Sequence, residues 1–406
     1  MDNMGAFLKR VRKELIYVYD WIIIGGGIQG CTLAISLIKS GKVSPHKLLV
    51  IDPHEEPISQ WKRNTERIEM EYLRSPSVHH LDVAPFGLQM FARKANYSQP
   101  FYGYYKRPSL LLFHEHCDSV FREIDLKLSW HTGRVSNLER KNNEWWIKTE
   151  DNSLFNTKNI AIASGFTEAL NYPSWSKEIK ERYPHLIFHI FERAVPETFN
   201  EGQPLVIVGA GITAAHLSIK LSKIHKQVIL VTRHDFRVHD FDSDPGWLGP
   251  KNMNSFLKIK DYKTRRQTIT NARYRGSFPK ELSLALSRLI QKNKLKVIYD
   301  EIERCSNCSE SSLLLNLKNS EEKIETSRIL LTTGFQSNME YLSWLHPVIN
   351  NEKLLCAECG FPIVSKNLEW GKNLYVVGAL AELEIGPTAR NISGARTAAN
   401  RILSTI

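Results

Sequence analysis

The chain has 406 residues, 42% of them apolar and 24% charged, which is enough for two or three domains with sizeable cores. No apolar run reaches the roughly 18–20 residues that span a bilayer, so the sequence predicts no transmembrane segment. The net charge of +11 comes from scattered basic residues without a nucleic-acid-binding motif. We therefore expect anionic small molecules as partners, and no nucleic acid.

The first 16 residues form a basic segment in which Phe7, Val11 and Leu15 recur every four positions. This spacing predicts an N-terminal leader helix at 1–16 that packs on the first domain, with attachment to a membrane surface as the alternative. The segment lacks the pattern of a signal peptide. Six cysteines in a chain of this length are typical of a reducing compartment, and we expect a cytoplasmic protein.

The strongest motif follows an apolar strand that begins at Trp21. The strand runs into Gly25-x-Gly27-x-x-Gly30, then a helix, then a second strand that ends in Asp52. In dinucleotide-binding folds such glycines allow a tight turn, a close approach of the pyrophosphate, and close packing of helix on strand. An acid at the position of Asp52 accepts hydrogen bonds from ribose hydroxyls. The pattern predicts a site for FAD or NAD.

A second copy of this motif begins near residue 203. It reads Gly209-x-Gly211-x-x-Ala214, again between a strand and a helix, but its second strand is followed by Arg233, with Arg237 four residues later. A guanidinium can hold a 2′-phosphate that a carboxylate would repel. The second copy therefore predicts an NADPH site, with NADH as the alternative.

Each motif is followed by a β-rich stretch that closes on an apolar strand, "IAIASGF" after the first and "ILLTTGF" after the second. This duplication resembles the two-dinucleotide-domain flavoproteins, in which a Rossmann-like NAD(P)H domain is inserted into a three-layer, Rossmann-like FAD domain. The resemblance implies an α/β fold with an FAD domain at 17–200 and 336–406 and an NAD(P)H domain at 201–335. It also implies that Ser164 and Gly165 contact the FAD.

The C-terminal stretch "NLYVVGALAELEIGPTARNISGARTAANRI" again reads as strand, glycine-rich loop and helix. In the implied architecture this is the FAD domain resuming after the insertion. We expect Gly378 at the strand end, and Thr388 and Asn391 at the start of the helix, to lie at the flavin. The N-terminus of that helix would favour a negative charge on the reduced ring.

The segment after Asp52 resembles the lysine and ornithine N-hydroxylases, which are flavin N-monooxygenases. The pattern of that family is approximated by Trp61, Met70, Leu73, Arg74, Ser75 and Pro76. The resemblance implies that Trp61 and Leu73 line the cofactor site. It also implies that Asn271 hydrogen-bonds NADP or substrate, with a helix cap or a turn as the alternative. Ala272 stands where the family has a Tyr, so the sequence indicates a divergent branch.

The chemistry implied by this resemblance begins with hydride transfer from NADPH to the flavin. Reduced flavin then binds dioxygen as a C4a-(hydro)peroxide, which oxygenates a small amine or another nucleophilic metabolite. Two alternatives remain: a non-oxygenating NAD(P)H-dependent reductase of a quinone or disulfide, and a flavin-binding sensor without turnover. The sequence leaves a homo-oligomer open.

The cysteines include two CxxC pairs, "CSNC" at 305–308 and "CAEC" at 356–359. The pairs are 47 residues apart, a wider spacing than zinc ribbons show. A zinc site and a flavin-linked dithiol are the alternatives to cysteines that lie near turns incidentally, and we expect no metal. No CxxC lies near the first glycine motif, which argues against a dithiol reductase.

Overall fold

The computed structural model describes residues 17–196, 204–309 and 311–406. The predicted leader helix at 1–16 lies outside the described residues. Within the part of the chain that is described, none of the helices has the length and apolarity needed to cross a membrane.

The strands, in chain order, are β1 (Val18–Ile24), β2 (Leu48–Asp52), β3 (Phe101–Tyr102), β4 (Arg107–Pro108), β5 (Trp130–Thr132), β6 (Val135–Lys141), β7 (Glu144–Thr149), β8 (Leu154–Ile162), β9 (Ile187–His189), β10 (Leu205–Val208), β11 (Val228–Thr232), β12 (Arg237–Val238), β13 (Ser277–Phe278), β14 (Leu295–Tyr299), β15 (Ile302–Ser309), β16 (Ser312–Leu317), β17 (Lys323–Thr326), β18 (Arg328–Leu331), β19 (Glu369–Gly371) and β20 (Leu374–Val376).

The α-helices are α1 (Ile28–Lys39), α2 (Ser59–Arg67), α3 (Gly87–Lys94), α4 (Leu110–Glu123), α5 (Ser174–Arg182), α6 (Ile212–Ile224), α7 (Pro250–Lys258), α8 (Tyr262–Ala272), α9 (Lys280–Gln291), α10 (His346–Asn351), α11 (Glu382–Ile385) and α12 (Ile392–Leu403).

The first unit is built on a sheet with the strand order β19-β20-β8-β1-β2-β5, and the β6–β7 hairpin joins it beside β8. The strands from β20 to β5 are parallel, with Ile22 of β1 opposite Ile160 on one side and Leu49 on the other. The last four residues of β1, Trp21–Ile24, are all buried. A continuous apolar run is typical of a parallel strand that is covered on both faces.

The second unit has a parallel sheet with the order β14-β11-β10-β18-β9. A three-stranded antiparallel sheet, β15-β16-β17, and a short parallel ribbon, β12-β13, complete it. Its central strands, "LVIV" in β10 and "VILVT" in β11, are again apolar except for the final Thr232. The predicted fold class, α/β with two Rossmann-like units, is confirmed.

The boundary between the units lies earlier in the chain than the sequence predicted. Ile187–His189 pairs with β18 of the second sheet, and Ile179 and Ile187 belong to the same apolar core as Val206 of β10. The second unit therefore begins near residue 171, not at 201. Strand β9 is only three residues long and carries no glycine motif, so nothing in its own sequence distinguishes the two sheets.

The chain crosses between the units twice, and the two crossings lie side by side. Leu170 forms an antiparallel bridge with Phe335. The backbone N–H of Gln336 donates to the carbonyl of Ala169 at 2.7 Å, and that of Asn171 donates to Gly334 at 3.0 Å. Strands β19 and β20 and helix α12 then rejoin the first unit, where α12 packs against α1.

Candidate functional site

The first glycine loop has a shape that only glycine allows at two of its positions. Gly25 has φ +108°, and a Cβ there would lie 2.9 Å from the backbone of Ala163. A Cβ on Gly30 would lie 1.9 Å from the carbonyl oxygen of Gly25. A Cβ on Gly27, in contrast, would meet no atom within 4 Å. The loop is therefore held tightly against the sheet and open at Gly27, where α1 begins, as a pyrophosphate site requires.

Asp52, at the end of β2, holds this loop in place. Its Oδ2 accepts a hydrogen bond from the N–H of Gly26 at 2.6 Å. Its Oδ1 accepts from the N–H of His54 at 2.9 Å and lies 2.8 Å from His54 Nδ1. A carboxylate can accept about four hydrogen bonds. Asp52 therefore keeps acceptor capacity for a ribose hydroxyl while it fixes the loop.

Two other segments of the chain, at residue 378 and at 389–391, contact Gln29 at the end of this loop. Gln29 Nε2 donates to the carbonyls of Ala389 and Asn391, at 3.2 and 3.1 Å, just before α12. Gly378 has φ +66°, and a Cβ there would lie 2.9 Å from Gln29 Cγ. The Oε1 of Gln29 is buried without a hydrogen-bond partner, and this orphaned acceptor fits a site that a cofactor with donor groups completes.

The predicted residues on the closing strand and the C-terminal helix lie around the same loop. Gly165 follows β8, and a Cβ on it would meet no atom within 4 Å, whereas Ser164 Oγ lies 3.5 Å from the carbonyl of Ile24. Thr388 is buried, and Asn391 is the N-cap residue of α12. The N-terminal N–H groups of α12 are thus carried to the edge of the first site.

Trp61 and Leu73, the two residues assigned by resemblance, have different surroundings. Trp61 lies on α2 with its ring 6.1 Å from that of Phe113, and its indole Nε1 is buried without a partner. That N–H could donate to a cofactor atom. Leu73 is buried, and its backbone N–H donates to Pro108 at 2.9 Å. In the structure Leu73 is therefore a core residue.

The second glycine loop repeats the geometry of the first. Gly209 has φ +149°, and a Cβ there would lie 2.2 Å from Thr332 Oγ1. A Cβ on Gly211 would have Gly276 as its nearest neighbour, at 3.8 Å. Ala214 is buried in α6. The loop is again tight at its first glycine and open at its second, and it offers the N-terminus of α6 to a phosphate.

The rim of the second loop carries guanidinium groups. Arg233 follows β11, Arg237 lies on β12, and both side chains are exposed. Arg237 Nη1 donates to the carbonyl of Arg275, a third exposed arginine, at 3.4 Å. Within the described residues none of the three forms an ion pair. These cations are therefore available to an anionic ligand such as a phosphate.

Asn271 lies near the end of α8 with an exposed side chain, and its Oδ1 accepts from Gln267 Nε2 at 2.9 Å within the helix. Helix α8 packs on α11 of the first unit, where Arg265 pairs with Glu384 at 3.0 Å and Arg266 pairs with buried Glu382. The structure thus shows Asn271 in a local hydrogen bond on a helix between the units.

Gln29 and Asp242 are contact residues that sequence reasoning did not place in the site. Asp242 lies in the loop after β12, and its Oδ1 accepts from Asn391 Nδ2 at 3.1 Å. This bond joins a loop of the second unit to the N-cap of the helix at the first site. The run of aspartates at 240–244 was the available signal, but the partner is 149 residues away in sequence.

The cysteines described by the structure are free thiols. Cys31 is buried beside the first loop, and burial, followed by the charge of Asp52, raises the pKa of its thiol well above the usual value. Cys117 is also buried with a raised pKa. Such thiols are poor nucleophiles. In the described parts of the chain, no group of three or more His, Cys, Asp or Glu residues is arranged to hold a metal ion.

A cleft of about 390 Å³ lies between the units. One wall is formed by α6 and α9, and the other by residues 69–72 and 99–107 of the first unit. Arg107 pairs with Glu281 across it, and the ring of Tyr102 lies 5.1 Å from the guanidinium of Arg107. The cleft is thus another place where side chains of both units meet.

Comparison with known proteins gives relatives that match part of the chain and structures that match nearly all of it. The uncharacterized oxidoreductase CzcO of Bacillus subtilis is 23% identical over 206 residues, which are 51% of this chain and 52% of CzcO. Ferredoxin–NADP reductase 1 of Sulfolobus acidocaldarius is 32% identical over 99 residues, 24% of this chain and 29% of that protein. The matched residues thus span about half the length of CzcO and 29% of the length of the ferredoxin–NADP reductase.

Solved structures superpose over the whole chain at low sequence identity. The ornithine N-hydroxylase KtzI of Kutzneria sp. 744 has a TM-score of 0.74 at 13% identity and covers 96% of this chain and 99% of KtzI. The cadaverine monooxygenase DfoA of Erwinia amylovora gives 0.73 at 13%, with coverage of 95% and 94%. The bacillithiol disulfide reductase of Bacillus cereus gives 0.61 at 16%, with coverage of 96% and 98%. At these identities the likeness shows the fold.

The predicted resemblance to the N-hydroxylases is confirmed at the level of the fold, and the low identities agree with a divergent branch. The model of the pyridine nucleotide-disulphide oxidoreductase family matches residues 22–276, more than half of the chain. Both glycine loops lie within that match. The chain belongs to the pyridine nucleotide-disulphide oxidoreductase family.

Proposed function

We propose that this protein is an FAD-dependent, NADPH-driven monooxygenase that oxygenates a small amine or another nucleophilic metabolite. The observation that carries the proposal is the bond from Asn391 to Asp242, because it joins the N-cap of the helix at the first dinucleotide site to a loop of the second unit. An enzyme that passes a hydride between two dinucleotides needs both sites close together in one fixed arrangement.

FAD fits the first site. Gly25, Gly27 and Gly30 would hold the pyrophosphate at the start of α1, and Asp52 would accept from the ribose. The orphaned Oε1 of Gln29 and the orphaned Nε1 of Trp61 are buried polar atoms that a cofactor could satisfy. Gly165, Gly378, Thr388 and Asn391 would border the flavin, with the α12 N-terminus favouring negative charge there.

NADPH fits the second site. Gly209, Gly211 and Ala214 would seat the pyrophosphate at the start of α6, and Arg233 and Arg237 would hold the 2′-phosphate. Bound together, the two cofactors would supply hydride transfer and the activation of dioxygen. The loop at 239–242, which Asn391 contacts at Asp242, would keep the two sites in register and exclude water between them.

The cysteine beside the first glycine loop favours oxygenation over dithiol chemistry. The thiol nearest to the first loop, Cys31, is buried, donates to the carbonyl of Gly26 at 3.1 Å, and has a raised pKa. A disulfide reductase needs an accessible thiolate at the flavin. KtzI and DfoA, which superpose on nearly the whole chain, are described as an ornithine N-hydroxylase and a cadaverine monooxygenase, and both support an amine as substrate.

A non-oxygenating NAD(P)H-dependent reductase is the second candidate. Its support is the name of the family that the chain belongs to and the superposition on a bacillithiol disulfide reductase. Either enzyme would take a small-molecule substrate. The cytoplasmic location and the absence of nucleic-acid partners are further parts of the proposal, and the proposal leaves a homo-oligomer open.

Rapid mixing distinguishes the two candidates. The protein is reduced anaerobically with NADPH, mixed with air-saturated buffer, and followed by absorbance with and without ornithine, lysine or cadaverine. A monooxygenase should show a transient species distinct from both reduced and oxidised flavin, and an oxygenated product for one of the amines. Anaerobic turnover with a quinone or a disulfide, without transient or oxygenated product, would establish the reductase instead.

A further inference from the structure

Arg74 of the first unit donates hydrogen bonds only to atoms of the second unit. Its Nε donates to the carbonyl of Asp240 at 3.2 Å, and its Nη1 donates to the carbonyl of Ser277 at 3.0 Å. Its Nη2 donates to the carbonyls of His239 and Phe241, at 2.7 and 2.6 Å, and to Ser277 Oγ at 2.8 Å. One side chain therefore makes five contacts across the boundary, four of them with backbone carbonyls.

These acceptors all belong to the β12–β13 ribbon and to the loop that leaves it. In the ribbon, Arg237 is opposite Ser277 and Val238 is opposite Phe278. The N–H of His239 extends the pairing by donating to Phe278 at 3.1 Å. Arg237 is also one of the exposed cations on the rim of the second loop. Arg74 is therefore hydrogen-bonded to the β12–β13 ribbon and its loop, and this ribbon carries part of the proposed NADPH site.

The loop is held on its other side by the helix at the first site. Asp242 accepts from Asn391 at 3.1 Å through Oδ1, and its Oδ2 lies 3.5 Å from Arg273 Nη2. Its carbonyl accepts from the N–H of Tyr274 at 2.8 Å. Residues 239–242 are thus fixed to the first unit at two points, by Arg74 and by Asn391.

We propose that Arg74 is a positioning residue that sets the NADPH-carrying ribbon at the distance from the flavin that hydride transfer requires. The inference rests on the proposed function. The guanidinium is planar and presents its N–H groups in a fixed fork, so contacts in three directions define both position and angle. A lysine ammonium has three donors on a flexible stem and cannot reproduce that geometry.

The same contacts argue against a role for Arg74 in binding the substrate. The single N–H on Nε is used, and the two on Nη2 serve three acceptors. Nη1 has two N–H groups, and one of them is bonded to Ser277. At most one donor remains, whereas a carboxylate held by an arginine usually takes two. Desolvation lowers the pKa of Arg74 to about 10, with Asp242 opposing the shift, so the side chain stays charged at neutral pH.

The test compares Arg74→Ala and Arg74→Lys with Arg67→Ala as a matched control. Arg67 also crosses the boundary, with Nη1 donating to the carbonyls of Ile190 and Glu192, but it does not touch the ribbon. The measurements are the FAD content, the limiting rate of anaerobic flavin reduction at saturating NADPH, the NADPH dissociation constant, and deuterium uptake of the peptide at 237–244.

Arg74→Ala should keep its FAD, bind NADPH within about twofold of the wild type, and reduce its flavin about 10- to 100-fold more slowly, because a displacement of about 1 Å is enough for such a loss. The rate of flavin reduction in Arg74→Lys should lie between those of Arg74→Ala and the wild type. In Arg67→Ala that rate should stay within about threefold of the wild type. Deuterium uptake at 237–244 should rise in both Arg74 variants only. If Arg74→Ala does not fold, Arg74→Lys carries the test.

Unchanged reduction rate and unchanged deuterium uptake in a folded, FAD-loaded Arg74 variant would overturn the inference. An equal loss in Arg67→Ala would do the same, because the effect would then be a general loosening of the boundary. If the wild type is not reduced by NADPH or NADH, the proposed function fails. Deuterium uptake would still show whether Arg74 fixes the ribbon.

Discussion

The two glycine loops have the same backbone arrangement and differ in the residues at which their second strands end. In the first unit Asp52 turns inward and accepts from the chain itself, at Gly26 and His54. In the second unit Thr232 stands at the equivalent position, since the N–H of Gly209 donates to Val231 as that of Gly25 donates to Ile51. Arg233 follows it, is exposed and forms no ion pair within the described residues. A carboxylate of the chain itself completes the hydrogen bonding of the first loop, whereas the second loop has exposed guanidinium groups at its rim.

The contacts that hold the first loop differ in kind from those at the second. The first loop is enclosed: a Cβ on Gly26 would lie 2.0 Å from the Trp130 ring, and Gln29 ties the loop to the start of α12. A Cβ on Gly211 would meet only Gly276, at 3.8 Å, and a Cβ on Gly27 would meet no atom, so both loops are open at their second glycine. The comparison teaches that the same motif can be fixed to its own unit by different contacts.

The largest effect is expected at the third position of the motif, which is Gly30 in one loop and Ala214 in the other. Gly30→Ala would place a Cβ 1.9 Å from the Gly25 carbonyl, so the loop must shift. We expect loss of most bound FAD, measured as the ratio of flavin to protein absorbance. Ala214→Gly should cost about 1 kcal/mol of stability through helix propensity and leave NADPH binding unchanged. Stoichiometric FAD in Gly30→Ala would show that the first loop is not the tight one.

A smaller effect is expected from acid, and it should reach both units. Burial lowers the pKa of His80 and His116 in the first unit, and of His189 and His216 in the second, to about 4. Since an unfolded histidine has a pKa of about 6.5, protons bind the unfolded chain preferentially. The stability present above pH 6.5 is therefore lost as the pH falls towards 4, by about 1 kcal/mol per histidine at pH 5.5.

Urea unfolding at pH 7.5, 6.5 and 5.5 measures this loss, with deuterium exchange reporting on each unit. The double variant His80→Gln/His116→Gln should reduce the pH dependence of the first unit by about half, because burial also lowers the pKa of His79 and His114 to about 4, and should leave that of the second unit unchanged. A pH-independent unfolding free energy would contradict the expected neutral burial of these rings.

The smallest effect is expected at the exposed cations of the second loop. Arg233→Ala and Arg237→Ala should each raise the KM for NADPH about tenfold, because each removes one charge-assisted contact worth about 1.5 kcal/mol. The KM for NADH should not change, since NADH lacks the 2′-phosphate. Arg288→Ala, an exposed arginine on α9, is the control. Equal losses for NADH and NADPH would place these arginines elsewhere on the cofactor.

The parts of the fold that sequence reasoning predicted are those in which a short stretch determines its own shape. Gly25 and Gly209 need positive φ, and the apolar runs of β1 and β10 need burial on both faces, so the motifs and their strands follow from local patterns. The start of α12 followed for the same reason. What could not be predicted depends on contacts between distant segments.

Three residues illustrate that limit. Ile187 joins the second sheet because Ile329 lies beside it, 142 positions later in the chain. Leu73 lies in the apolar core of the first unit, and its contact with the cofactor stays a prediction. Arg74 stands next to it and docks on residues 165 to 203 positions away. No local pattern specifies such partners, because any exposed carbonyl can accept from an arginine.

The chain passes between the units at residues 169–171 and again at 334–336, and the closeness of these two connections determines where the inserted segment can be excised. Because the Gln336 N–H lies 2.7 Å from the Ala169 carbonyl, a splice from 169 to 336 would need almost no added chain. The two ends of the intervening segment lie next to each other, and such an arrangement tolerates domain insertion and circular permutation best. Excision there would also remove Phe256 and Ile269 from the apolar core of the first unit, and Arg265 and Arg266 from their pairs with Glu384 and Glu382, so those contacts would have to be replaced.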